Sequence, residues 1–343
     1  MGDLPRVSVI MPIRNEAAFI QQSLGALLEQ TYPGKQTEII VADGMSTDGT
    51  RKIVGDLAIR SEVPIIVVDN PDFIAPSGLN RALEKATGEI VVRVDGHCEV
   101  DKHYLENCVE LLQAGVADGV GGPIETIGDS RRAKAIALAM SSAFGVGGAA
   151  FRTIGDREMY TDTVAFPGYT REILEKAGPF NEELVRNQDD EYNYRIRRLG
   201  GRILLSPRVR SRYYSRSDFS ALMHQYFEYG YWKVRVLQLH PRQMSLRQFV
   251  PFSLVITLIV ASFLSLISTT GGWMLLAVIS SYLTANLIAS VYTARNSLSA
   301  IPLLSLSYLI LHLAYGSGSL IGLIRFRDRW RLLNQESETM VCR

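Results

Sequence analysis

Three short stretches carry residue types able to do chemistry. Asn187-Gln188-Asp189-Asp190-Glu191 gathers carboxylates ahead of the cationic run Arg195-Ile196-Arg197-Arg198. A carboxylate there could act as a general base, taking the proton of an attacking hydroxyl. The same residues would suit the first turn of a helix, whose dipole acids offset, and both roles can hold together. Asp95-Gly96-His97 follows a strand-like run. Residues two apart in extended chain point the same way, so its carboxylate and imidazole could share one cation. Oxygen and nitrogen donors suit Mn²⁺ well and Mg²⁺ less readily. Such an ion would neutralise a departing diphosphate, and the plain alternative is a turn with an incidental histidine. Asp43-Gly44-Met45-Ser46-Thr47-Asp48-Gly49-Thr50 is rich in turn residues. Asp43 could accept hydrogen bonds from a ribose hydroxyl or a base N–H, Gly44 would let backbone approach a ligand, and Thr47 or Asp48 would cap the next helix.

A fourth stretch, 206–233, mixes Arg208, Arg210, Arg212 and Arg216 with Tyr213, Tyr214, Tyr226, Tyr229, Tyr231 and Trp232. It could hold a diphosphate and a lipid headgroup, or simply sit on a membrane surface.

The elements that must position these groups alternate. Val7–Met11, Glu38–Ala42, Pro64–Val68 and Glu89–Val94 read as buried strands; Ala17–Gln30, Thr47–Arg60 and Ser77–Ala86 read as helices. Alternation of this kind predicts an α/β fold, a mostly parallel sheet with helices on both faces. Its ligands should gather beyond the carboxyl ends of the strands, at 12–16, 43–48 and 95–97.

The net charge of +1 gives no broad basic surface for nucleic acid. Three cysteines, Cys98, Cys108 and Cys342, form no CxxC pair and suit a reducing compartment. The N-terminus lacks the pattern of a signal peptide, so the N-terminal body is expected on the cytoplasmic side. Composition changes near Pro251. Segments 249–268, 273–294 and 300–324 are apolar runs, each near the ~20 residues a helix needs to cross a bilayer. The expected domains are 1–240, a membrane region 241–330 and a polar tail 331–343. Arg242, Arg247 and Arg295 place the body and the Arg295 loop inside by the positive-inside rule. Arg325, Arg327, Arg329 and Arg331 ask for the inside too, whereas three full crossings put them outside. Either the third run, with Gly316, Gly318 and Gly322, is re-entrant or interfacial, or the tail breaks the rule.

In this order, VSVIMPIRNE at 7–16, VADGMSTDGT at 41–50, LNRALEKATGEIVVRVDGH at 79–97, VAFPGYTREILEKAGPFNEEL at 164–184 and QDDEYNYRIRRLGGRI at 188–203 resemble the family 2 glycosyltransferases. A looser likeness, through DTVAFPGY at 162–169 and QYFEYGYWK at 225–233, is to the succinoglycan-type exopolysaccharide glucosyltransferases. The resemblance implies the GT-A fold, a Rossmann-like mixed sheet, here followed by a C-terminal α-helical transmembrane region. By position, Pro12, Arg14, Glu16 and Asp43 would line a nucleotide-sugar pocket, and Asp95 and His97 would hold a divalent metal, Mn²⁺ or Mg²⁺, with the diphosphate. Asp189 would be the base, Arg216 would contact the diphosphate, and Gln188, Asp190, Gln225 and Trp232 would border the acceptor. Implied with these are inverting transfer of a hexose, with UDP-glucose as the implied donor, to a polyprenyl-diphosphate-linked glycan, and a multi-pass inner-membrane location with the catalytic domain cytoplasmic. Two departures stand out. The family's usual Asp-x-Asp is Asp-x-His here, and the Gln-x-x-Arg-Trp signature of processive synthases is absent. The competing readings are a processive polysaccharide synthase, a non-catalytic sugar-nucleotide-binding membrane scaffold and, with only His312 ionisable inside the runs, a transporter.

Overall fold

A computed structural model describes residues 4–216, 218–295 and 297–330; the 331–343 tail and Cys342 lie outside the described residues. The strands are β1 Val7–Ile13, β2 Thr37–Asp43, β3 Ile65–Asp69, β4 Ile90–Arg93, β5 Cys98–Val100, β6 Gly119–Gly122, β7 Ile124–Ile127, β8 Met159–Tyr160, β9 Ala165–Thr170, β10 Ile203–Leu205 and β11 Ser211–Tyr214. The helices are α1 Ile20–Leu28, α2 Thr50–Arg60, α3 Ala75–Lys85, α4 Tyr104–Gln113, α5 Arg131–Met140, α6 Ala143–Val146, α7 Ala150–Thr153, α8 Arg171–Ala177, α9 Gln188–Arg198, α10 Phe219–Leu239, α11 Val250–Ser265, α12 Thr269–Ala294 and α13 Ile301–Arg325.

The described residues form two compact units, one within 4–125 and 150–214, the other within 126–149 and 215–330. Residues 126–149 and 215–240, which the sequence assigns to the N-terminal body, thus group with the apolar helices. Composition marks where apolar runs begin but not which polar helices pack beside them.

In the first unit an eight-stranded sheet runs β3-β2-β1-β4-β9-β6-β10-β8. The four strands read from sequence are mutually parallel, β9 is antiparallel to both β4 and β6, and β8 is antiparallel to β10. Alternation along each strand divides the core. Ile10, Ile40, Val91 and Tyr169 join Leu79 of α3, Ile173 and Leu174 of α8, and Tyr192 and Ile196 of α9 in one cluster. The alternate residues Val9, Ile39, Val41 and Val92 are fully buried on the other side. There Gly168 of β9 lies against Cys108 of α4 and Val92 of β4. Helices flank the sheet, as the alternation of apolar positions requires. Cys98 and Cys108 are buried free thiols, and burial pushes both well above the ordinary thiol range.

In the second unit Leu246–Ser265, Thr269–Ala294 and Leu298–Arg325 are long and apolar enough to span a membrane. Large side chains such as Phe263, Trp273, Ile288 and Tyr292 are open to the outside, a condition water would punish and lipid does not. The glycines that suggested an interrupted third span break nothing, since α13 is continuous through Gly316, Gly318 and Gly322. They are contact points instead. A Cβ on Gly318 would strike the Phe227 carbonyl, one on Gly230 of α10 would strike that of Tyr315, and one on Gly316 would strike that of Pro251. Small residues let the backbones meet. Polar groups within the spans are paired: Asn286 Nδ2 donates to Ser305 O at 3.0 Å, and Tyr308 OH reaches Thr293 Oγ1 at 2.8 Å. His312 Nε2 faces the Phe144 carbonyl at 2.9 Å, so it carries the proton and Nδ1 accepts from Tyr282 OH at 3.0 Å. With both ring nitrogens engaged inside the helix packing, His312 acts as structural glue rather than a conducted-ion site.

Candidate active site

The loops after β1 and β2 are tied together by short polar side chains. Backbone N–H groups of Asn15, Glu16 and Ala17 donate to Ser46 Oγ (2.9 Å), Thr50 Oγ1 (2.8 Å) and Asp48 Oδ2 (3.0 Å), and Asn15 Oδ1 accepts from Thr47 N–H at 2.9 Å. Asn15 and Met45 adopt left-handed backbone, which these bonds maintain. Helix α2 starts after Gly49, itself left-handed, and Asp48 satisfies the Thr50 N–H from one position further out than the cap expected of it. Pro12, next to last in β1, packs against Gly78 of α3.

Asp43 ends β2 with its carboxylate 1% exposed. Oδ1 accepts from Ser46 N–H at 3.1 Å and Oδ2 faces Arg51 at 3.5 Å, with Arg51 also bound to Asp69. The carboxylate thus organises its own loop in this state. Gly44 makes room for a side chain: a Cβ there would meet Arg14 Cβ at 3.1 Å and Cδ at 3.3 Å. Gly96, expected to leave space for a diphosphate, likewise makes room for protein, since a Cβ would meet Ile13 Cγ2 at 2.9 Å and Glu16 Cγ at 3.0 Å.

That close pass brings Glu16 to His97. Its Oε1 lies 2.8 Å from His97 Nδ1. A carboxylate only accepts, so Nδ1 carries a proton, and in the neutral tautomer Nε2 is the nitrogen that keeps a lone pair. Tyr213 meets the same imidazole edge-on, and Arg152 lies over Tyr213, at 5.4 Å and 5.6 Å.

Asp95 is gripped by Arg93, Nε to Oδ1 at 3.0 Å and Nη2 to Oδ2 at 3.2 Å. Arg93 is 7% exposed and also feels the negative charge of Asp189. Its burial would favour loss of the proton, but Asp95 and then Asp189 outweigh that and hold the guanidinium firmly charged. Burial alone would raise the Asp95 carboxyl, yet the charge and hydrogen bonds of Arg93, with Arg186 further off, bring it below its ordinary value. Arg93 escaped the sequence reading, although a charged residue inside the apolar run Ile90-Val91-Val92-Arg93-Val94 was the signal.

Helix α9 supplies Asp189 in its acidic first turn, after Asn187 in left-handed backbone. The helix is fixed by Tyr192 OH to Gly178 O, Asn193 Nδ2 to Thr163 Oγ1, and Arg195 to the Ala177 and Pro179 carbonyls. Glu191 is buried and paired with Arg195 at 2.8 Å, which removes it from the acidic cluster as a free base. Asp189 Oδ1 accepts the Asp190 N–H, and Gln188 is buried. Arg216, Gln225 and Trp232 belong to the second unit. There Gln225 Nε2 reaches Tyr229 OH at 3.0 Å and Trp232 packs on Tyr231 and Phe326.

Among the described residues no three His, Cys, Asp or Glu side chains form a metal cage. A divalent ion would have two protein donors, an Asp95 oxygen and His97 Nε2. Such a set suits cations completed by substrate phosphates and water. Glu16 would be the carboxylate behind the histidine that orients such ligands.

The sequence model described as Glycosyl transferase family 2 matches residues 8–178. The succinoglycan biosynthesis protein ExoA of Rhizobium meliloti (strain 1021) is 30% identical over 94% of this chain and 96% of its own length. A dolichyl N-acetyl-alpha-D-glucosaminyl phosphate 3-beta-D-2,3-diacetamido-2,3-dideoxy-beta-D-glucuronosyltransferase of Methanococcus voltae is 26% identical over 65% of this chain and 71% of its own. A mannosyltransferase from Pyrobaculum calidifontis, solved with GDP-Man and Mn²⁺, superposes with a TM-score of 0.59 at 20% identity over 94% of this chain and 88% of that one. Staphylococcus aureus TarS 1–349 with UDP-GlcNAc gives 0.52 at 17% identity over 92% and 90%.

Proposed function

The chain belongs to glycosyl transferase family 2, and on that premise we propose that it is an inverting glycosyltransferase moving a hexose from a nucleotide-sugar to a lipid-linked glycan at a membrane. The observation that carries the reading is Arg93, a buried cation that grips Asp95 through two hydrogen bonds and lies within reach of the Asp189 charge. One side chain thereby couples the group that would face the diphosphate to the group that would take a proton.

In the proposed reaction Asp189 accepts the proton of an acceptor hydroxyl as its oxygen bonds to the anomeric carbon. The bond from that carbon to the diphosphate oxygen breaks on the opposite side, so configuration inverts and no sugar is ever bonded to the enzyme. Arg93 keeps Asp95 ionised and aimed, and Glu16 holds His97 in the tautomer that offers Nε2. Mn²⁺ or Mg²⁺ held by Asp95 and His97 would offset the charge gathering on the leaving diphosphate. In this reading Pro12, Arg14 and Asp43 shape the nucleotide end, Arg216 meets the diphosphate, and Gln188, Asp190, Gln225 and Trp232 border the acceptor.

Support for a glycan acceptor comes from the relatives, one named for succinoglycan biosynthesis and one for a dolichyl-phosphate-linked sugar. UDP-glucose is the proposed donor and a polyprenyl-diphosphate-linked glycan the proposed acceptor. The three candidate spans support a multi-pass membrane protein, and the inner membrane, with the catalytic unit facing the cytoplasm, is its proposed location. The lack of the Gln-x-x-Arg-Trp signature favours addition of one sugar over processive synthesis. Asp189→Asn is expected to lower transfer by about 10²–10⁴-fold, the share of a general base, while donor binding stays within a factor of about two. Normal turnover by this variant in membranes supplied with donor and lipid-linked acceptor would remove Asp189 as the base.

A further inference from the structure

The nucleotide end of the site poses a problem that Asp43 does not solve. Its carboxylate is buried and already engaged by Ser46 N–H and Arg51. The large aromatic group open at this end is Phe73, 48% exposed, with Met45 of the loop after β2 open beside the same strand ends. Phe73 also has φ of 63°, a conformation a bulky side chain avoids unless its surroundings enforce it.

The enforcement is visible. Asn70 follows β3 and is buried, its N–H donating to Asp43 O at 2.9 Å, its Nδ2 to Ile74 O at 2.8 Å, and its Oδ1 accepting from Ser77 Oγ at 2.8 Å. Phe73 N–H in turn donates to Asn70 O at 3.2 Å. The ring is therefore held outward on a locked loop at the same strand ends as Asp43. Arg14 reaches it from the loop after β1, crossing over Gly44, with its guanidinium 4.7 Å from the ring centroid. The result is a cation–π pair on the rim of the strand ends.

Resting on the proposed function, we infer that the Phe73–Arg14 pair is the stacking platform for the nucleobase of the donor. Spacing favours this occupant over a sugar or a lipid. Phe73 follows β3 and Asp95 follows β4, with β2 and β1 between them. Three strand intervals of about 4.8 Å amount to roughly 14 Å, a gap that a ribose and two phosphates bridge. An exposed aromatic face suits a purine or a pyrimidine because every base has a π-face.

The test titrates UDP, GDP and inorganic diphosphate, with Mn²⁺ present, into the detergent-solubilised full chain by calorimetry. Phe73→Ala and Phe73→Gly are expected to weaken whichever nucleoside diphosphate the wild type binds by about tenfold, with inorganic diphosphate unchanged and Phe73→Tyr restoring affinity. Thermal denaturation separates binding from structure. Glycine accepts positive φ without strain, so Phe73→Gly should melt higher than Phe73→Ala and no lower than the wild type while binding nucleotide poorly. Wild-type nucleotide affinity in Phe73→Gly overturns the platform, as does an equal loss for inorganic diphosphate. A wild-type chain that binds neither nucleotide sinks the nucleotide-sugar reading itself and the platform with it.

Discussion

The two ends of the parallel strands each hold a carboxylate, Glu38 buried and Asp95 partly buried with its side chain 21% exposed, and they treat it in opposite ways. Near the amino end, Glu38 of β2 accepts from Ser8 Oγ (2.6 Å), Thr87 N–H (2.7 Å), Thr87 Oγ1 (2.9 Å) and Arg6 (2.9 Å). Its burial would raise its titration, but these bonds lower it below the ordinary value. A group so completely satisfied has nothing left to offer a ligand. At the carboxyl end, Asp95 is held by one guanidinium and keeps lone pairs in reserve, beside a histidine with one nitrogen engaged and one open. Saturation fixes a fold, whereas partial satisfaction makes a site.

Substitutions that pull the two ends apart can break this contrast. The largest effect is expected from Arg93→Met, which strands Asp95 without its buried partner. About 3–5 kcal/mol of stability should be lost, read as a lowered melting temperature, and transfer should fall with it. Glu16→Gln comes next. It removes the carboxylate behind His97 and should weaken Mn²⁺ binding about 10–100-fold, measured by paramagnetic titration, with little change in melting. Glu38→Gln should do the reverse, costing about 1–3 kcal/mol through mismatched donors while kcat/KM stays within about twofold.

The smallest effect is on pH. The folded-state titration of Glu38 is depressed, so its contribution is present above the ordinary carboxylate value of 4.5 and fades as pH falls through the lower folded value. Wild-type melting should therefore decline in acid below about pH 4.5 more steeply than that of Glu38→Gln. Parallel curves would mean Glu38 carries no linked charge.

Much of this was legible before the fold was seen, for reasons that particular residues make clear. Strands β1, β2 and β4 announce themselves because both faces are buried, whereas β3, read as buried too, is an edge strand with Ile66 exposed, and Asp43 and Asp95 sit at the strand ends where parallel topology leads a ligand to be sought. Glu16 could not be matched to His97 in the same way. It lies in a loop, and the match depends on Gly96 lacking a Cβ 80 residues along the chain. Gly316, Gly318 and Gly322 misled for a related reason, since a glycine alone does not reveal whether a helix breaks or meets another there. Phe73 carried no local mark either, because its left-handed backbone is imposed by Asn70 and its ring gains meaning only from Arg14 across the sheet ends.

The central claim is single displacement at the carboxyl end, with one carboxylate as base and no covalent intermediate. Its most direct test is time-resolved NMR of the anomeric proton in the first product formed from the sugar nucleotide that the chain accepts. Inverted configuration from the earliest turnover is predicted. Retained configuration would contradict the account.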